Sequence, residues 1–331
     1  MTAMKRIEGS GLRDAHVIDE TRGGQRGQGN SVLPYYASIA RRKEIVFDAG
    51  AFLLAIRMLG RPLTAYWVHT PHPFLIQFSE TIGIRYYGLA YMLGFVGAAW
   101  LLYRYYRAGR SPFGFNTISD LMTYLIAGVL IGGRIGYFVF YQPRALFADP
   151  LELFRVWEGG MASHGGFAGV IVALGLFARR HQVPFLHVGD LVVSTVPLGL
   201  GLGRLANFLN GELWGKVTDV PWAMIFSRTG GGDSPRHPSQ LYEAALEGFL
   251  LFAFMQFRIW RSSAVKTQPG RLSGEFLVAY AVARVVCEQF REPDAGLILG
   301  LSRGAFYSLF MVVGGLALIL RARHHASKGK A

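Results

Sequence analysis

Cysteine is nearly missing from this chain: Cys287 is the single one in 331 residues. An internal disulfide and a cysteine-rich metal site are therefore excluded, and Cys287, set in a run of apolar residues, reads as a small core residue. Charge is scarce as well. Asp, Glu, Lys and Arg make up 17% of the chain, against about 25% in an ordinary soluble domain. Acidic residues are the scarcer sign, 21 against 34 basic. Hydrophobic residues fill the gap at 51%, with a positive mean hydropathy. The expected class is an all-α polytopic membrane protein. The net charge of +13 does not point to nucleic acid, because the basic residues punctuate apolar runs instead of forming a stripe. Residues 1–44 hold no apolar stretch of the length a cleavable secretion signal needs.

The first 60 residues differ from the rest. Gly23, Gly24, Gly27 and Gly29 and dense charge predict disorder through about residue 43. Residues 45–59 form an apolar patch broken by Asp48 and Arg57, too short to span a bilayer and suited to its surface. Met58 offers a second possible start, which would make the preceding residues an artefact of gene calling. From residue 84 onward seven hydrophobic stretches recur, at 84–104, 119–141, 161–178, 188–209, 239–259, 274–291 and 303–320. Each is near the length of a transmembrane helix. Loops following the first, third, fifth and seventh carry thirteen Lys and Arg, against seven in the others. The positive-inside bias then places the start of the first span outside and the C-terminus in the cytoplasm. The nine basic residues of the extension run against that orientation. The expected organisation is an extension 1–60, a transmembrane catalytic domain 61–322 and a basic cytoplasmic tail 323–331.

With the orientation set, position along a span gives depth. Arg134, His164, Arg204, Arg236 and His237 all fall toward the outer half of the membrane or just outside it. Arg284, Glu288 and Arg291 follow the i, i+4, i+7 spacing of one helix face, with Tyr280 a turn deeper. Arg204, Asn207 and Gly211 share a face of another helix. A guanidinium within the bilayer costs several kcal/mol unless it faces a partner or a polar cavity, so such residues mark function by default. A cationic cavity at that depth suits an anionic lipid headgroup, which arginine holds in bidentate fashion. Plainer readings stand beside this one. Arg134 alone would serve equally well by snorkelling or bridging helices, Arg284 with Glu288 as a structural pair, and His164 as a hydrogen-bonded helix-end residue. Glu243 and Glu247, one turn apart, fit simple interior-facing positions.

Six stretches, in order, carry a more specific signal: Gly132–Tyr141, Trp157–Met161, His164–Gly166, Gly203–Gly215, Arg236–Glu243 and Arg291–Asp294. Together they resemble the prolipoprotein diacylglyceryl transferase family over about residues 80–322. Ala206 stands where that family usually has glycine, and Ala162-Ser163 replaces a Ser-Phe pair.

The resemblance implies transfer of the diacylglyceryl group from phosphatidylglycerol to the lipobox cysteine of a secreted prolipoprotein, with release of glycerol phosphate. It implies no metal or soluble cofactor, and a place in the bacterial cytoplasmic (inner) membrane with the site toward the outer leaflet. Arg204, Asn207 and Glu212 fall in its phospholipid-binding motif, His164 is the expected base and Arg284 the second essential arginine. Tyr87, Glu288 and Arg291 support them, and the depth argument adds Arg134 and Tyr280 as substrate-binding residues. Segment 211–238, with Gly230–Gly232, reads either as a mobile loop over the site or as a passive connector. A lipid flippase is the rival from another class. It would show paired halves and polar residues across both leaflets, and neither pattern is visible here.

Overall fold

The computed structural model of the chain describes residues 66–78, 83–155, 159–293 and 296–328, all within one unit, Val46–Ala331. The expected extension, the patch 45–59 and the Met58 start lie outside the described residues, as do Trp157, Glu158 and Asp294.

Helices occupy every one of the seven hydrophobic stretches. They are α1 (Tyr86–Arg107), α2 (Phe115–Tyr141), the short α3 (Pro143–Ala148), α4 (Ser163–Arg180), α5 (Phe185–Val193), α6 (Val196–Asn210) and α7 (Ser239–Glu243). α7 runs through a π-helical segment, Ala244–Leu250, into α8 (Leu251–Arg261), and α9 (Ala264–Thr267), α10 (Arg271–Glu288) and α11 (Arg303–Lys328) follow. By length and composition α1, α2 and α11 suffice to cross a membrane, and α5 with α6, bent by 42° at their break, pass the same test together as either a broken span or a re-entrant loop. The other stretches do not reach that hydropathy. α10 alone holds Arg271, Glu275, Arg284 and Glu288.

The break that splits the fourth stretch into α5 and α6 has a local cause. Pro197 in the first turn of α6 has no N–H to continue the ladder. The freed carbonyls are satisfied nearby: Ser194 Oγ donates to Leu191 O (2.7 Å), Thr195 Oγ1 to Val192 O (2.8 Å), and Gln256 Nε2 on α8 to Ser194 O (2.9 Å). Four short strands add to the helices. β1 (Trp67–Val68) pairs in parallel with β4 (Met224–Ile225), and β2 (Phe74–Gln77) with β3 (Gly83–Arg85) in an antiparallel ribbon.

Small residues set how closely the helices approach. On α2, Gly128, Gly132 and Gly136 recur every fourth residue and meet Gly165, Gly169 and Ala173 of α4 backbone to backbone. A Cβ on Gly132 would lie 2.7 Å from Gly169 Cα, and one on Gly136 2.6 Å from Gly165 Cα. Gly201 of α6 faces Gly248 of the π segment in the same manner, at 3.2 Å for an added Cβ. Cys287 is fully buried on α10, as its sequence context predicts.

Gly136→Val should lower the melting temperature of the detergent-solubilised protein, consistent with an overpacking cost of about 1–3 kcal/mol. An unchanged transition in a fluorescence melt would mean that the α2–α4 backbones are not in contact.

Candidate active site

Three helical segments bring six charged side chains together. Glu243 closes α7, Glu247 sits one turn on in the π segment, Arg204 comes from α6, Arg284 and Glu288 from α10, and Arg291 from just beyond it. Glu243 and Glu247 are wholly buried, so each must be matched by a partner. Glu243 Oε1 accepts from Arg284 Nη1 (2.9 Å) and Arg291 Nη1 (2.8 Å). Its Oε2 lies 3.2 Å from Arg204 Nε, at ion-pair distance but out of hydrogen-bond alignment. Glu247 is held more loosely, by Arg284 Nη1 at 3.2 Å and Arg204 Nη2 at 3.4 Å. Arg284 Nη2 also donates to Glu288.

The arginines converge as the sequence predicts, yet the site is not the cationic cavity expected. Among the described residues three guanidiniums meet three carboxylates, and these six charges balance. Sequence reasoning left Glu243 and Glu247 as interior residues, although their i, i+4 spacing in an apolar stretch is the signal that would have found them. Arg204 is the most accessible of the three arginines, at 19% side-chain exposure against 13% and 5%. The first turn of α11 closes over the network: a Cβ on Gly304 would lie 2.7 Å from Arg284 Nε. Tyr280 of α10 lies within electrostatic reach of Arg204, Arg284 and both buried glutamates.

A second polar group adjoins the first along α6. Asn207 Nδ2 donates to Tyr87 Oη from α1, the Tyr87 hydroxyl donates to Glu212 Oε1 (2.8 Å), and Asn210 Nδ2 donates to the same oxygen (2.9 Å). Gly211 ends α6 in the left-handed region at φ 70°, which turns Glu212 back toward Tyr87. Asn210 was not among the expected site residues. It lies three residues after Asn207 on α6, and the turn at Gly211 brings Glu212 back to it.

Two expected residues stand apart. Arg134, only 4% exposed, donates to five backbone carbonyls: Glu152, Leu153, Arg155, Gly159 and Gly160. Arginine has five N–H donors, and here all five are used to shape the segment after α3. His164 is exposed at the start of α4 and packs edge-on against Tyr307 of α11, with ring centroids 6.1 Å apart. Tyr307 is one turn from Gly304, so His164 faces the same end of α11 as Arg284 and Glu288 without joining them.

Segment 211–238 is stapled to its surroundings. Arg236 donates to Gly231 O (2.6 Å) and Gly215 O (3.1 Å), pairs with Glu292 (3.1 Å) and lies over the Trp214 ring. Arg228 donates to Thr70 O (3.0 Å) and Thr229 Oγ1 to Gly211 O (2.5 Å). His69 completes the anchorage: its Nε2–H donates to Phe208 O (2.6 Å) at the end of α6, and a Cβ on Gly211 would come within 2.9 Å of its ring. Desolvation, and secondarily the positive charge of Arg228, lower the His69 pKa from its ordinary 6.5, against the opposing pull of the Phe208 carbonyl.

The chain matches the family profile of prolipoprotein diacylglyceryl transferase over residues 73–321. It is 44% identical over 267 residues to the phosphatidylglycerol–prolipoprotein diacylglyceryl transferase of Nitrosomonas europaea, covering 78% of this chain and 93% of that one. The proteins of the same name from Nitrosospira multiformis and Shewanella sp. strain MR-4 are each 47% identical, over 76% and 75% of this chain and 86% and 92% of theirs.

Two outcomes follow from this geometry. Arg134→Lys keeps the charge but loses the fork, so protease cleavage within residues 149–160 should accelerate; an unchanged digest would show that fewer carbonyls depend on it. Because the folded state holds His69 neutral, its stabilisation is full above about pH 6.5 and is lost as pH falls through the lowered folded value. The melting-temperature gap between wild type and His69→Ala should therefore narrow on acidification. A gap constant from pH 5 to 8 would contradict that assignment.

Proposed function

Because the chain belongs to the prolipoprotein diacylglyceryl transferase family, we propose that it transfers the diacylglyceryl group of phosphatidylglycerol to the lipobox cysteine thiol of a prolipoprotein. The sulfur forms a thioether with the glycerol carbon, the bond from that carbon to the phosphate oxygen breaks, and glycerol phosphate leaves with the bonding electrons. The convergence of Arg204, Arg284 and Arg291 on one buried carboxylate carries the reading, since it gathers phosphate-binding groups from separate segments at one point. Arg204, the most exposed, meets the phosphodiester first. Asn207, Tyr87 and Glu212 lie one turn on, where the headgroup glycerol has hydroxyls to offer.

A thiol of pKa about 8.5 is mostly protonated at neutral pH and needs either a base or a cationic setting that favours thiolate. Already paired with carboxylates, the arginines do not supply the second, and their part is to stabilise the charge that grows on the departing phosphate. His164 is the group available to receive the thiol proton. Its place against Tyr307, outside the guanidinium cluster, makes the electrostatic contribution the larger one.

In this reading the chain lies in the bacterial cytoplasmic membrane with seven spans, counting α4, the α7–α8 helix and α10. The arginine cluster sits toward the outer leaflet, and the C-terminal end of α11 with the tail 323–331 lies in the cytoplasm. The bias of Lys and Arg among the loops supports that orientation.

Purified protein given labelled phosphatidylglycerol and a lipobox peptide should form the thioether. Arg204→Ala and Arg284→Ala should each reduce the rate by about 100-fold or more, and His164→Gln should reduce it by less than either, while near-normal transfer by His164→Gln would remove His164 from the proton-acceptor role. Lipid movement between leaflets without thioether would overturn the assignment in favour of a flippase.

A further inference from the structure

The site's neutrality makes a demand of its substrate. Among the described residues three guanidiniums and three carboxylates are already paired, so a lipid phosphodiester brings a further negative charge into a setting where an unmatched charge costs several kcal/mol. The imbalance is relieved when one carboxylate becomes neutral. The geometry distinguishes among the three. Glu243 is shared by Arg204, Arg284 and Arg291, and so is the best held as an anion. Glu288 has a close partner in Arg284 and retains slight exposure. Glu247 is wholly buried, has the longest ion-pair distances of the set, and shares Arg204, the arginine an incoming phosphate would recruit. The ionisable groups around it are Arg204 from α6, Arg284, Tyr280 and Cys287 from α10, and Glu243 one turn earlier.

We propose that Glu247 takes up a proton from solvent when the phosphodiester of the lipid enters the cluster, releasing Arg204 Nη2 to donate to the phosphate. This deepens the phosphatidylglycerol reading and rests on it. The carboxylate becomes a carboxylic acid, the phosphodiester supplies the negative charge it gives up, and the network stays balanced at three against three. Glu247 is thereby a positioning residue: it governs when Arg204 is available and does not touch the reacting carbon.

Calorimetric titration of the full chain with a water-soluble short-chain phosphatidylglycerol, in two buffers of different ionisation enthalpy, tests this directly. The expected result is uptake of about one proton per lipid bound, with affinity weakening by up to about tenfold for each pH unit between about pH 6 and 8. Glu247→Gln, neutral throughout, should bind with no pH slope and more tightly than wild type at the alkaline end. Binding whose heat is the same in both buffers would overturn proton uptake and leave the phosphatidylglycerol reading in place, whereas no binding in either buffer would overturn both. Proton uptake that persists in Glu247→Gln would assign the proton to another group and remove Glu247 from the role. The two-buffer measurement on wild type stands even if the variant does not fold.

Discussion

The charged cluster between α6, α7 and α10 depends on one carboxylate being matched by three guanidiniums. Glu243 has no exposed surface, and an ionised carboxyl in that position is tolerable only because Arg204, Arg284 and Arg291 reach it from different segments. The requirement works in both directions. The arginines are equally intolerable inside an apolar bundle without Glu243, Glu247 and Glu288, so the six residues fix the relative placement of α6, α7 and α10 more tightly than apolar packing would.

Close backbone approach makes that convergence possible. Gly201 against Gly248 brings α6 to the π segment, and the widened π turn places Glu247 on the Arg204 side. A different set of glycines, on α2 and α4, holds His164 at the head of its helix near α11. The charged cluster and His164 thus rest on separate sets of helix contacts.

Much of this was legible in the sequence, and the part that was not has identifiable reasons. Helical spacing located Arg284 and Glu288 on one face and Arg204 with Asn207 on another, because periodicity is a property of the local chain, whereas Arg291 lies past the end of α10 and is held there by a bridge to Gly215. The partner choice of Arg134 was hidden: nothing in Gly132–Tyr141 tells that its guanidinium serves carbonyls some twenty residues on. The neutrality of the cluster was hidden for a similar reason, since it depends on Glu243 and Glu247 pointing at helices distant in sequence. The Pro197 break was visible as a residue but not as a 42° bend. The contribution of His69 comes from a strand-like segment too short for any periodic pattern.

The π segment has one further consequence. Relative to a regular α-helix it acts like an inserted residue, turning all that follows by about 100°. At the far end of the same continuous helix, Arg258 meets Glu275 of α10 at 2.6 Å. Deleting a single residue between Ala244 and Leu250 would regularise the helix, yet swing Arg258 away from that partner while Glu243 stayed in place. The Glu243 and Arg258 contacts are therefore geared through one helical phase, and the register of both depends on the length of that stretch.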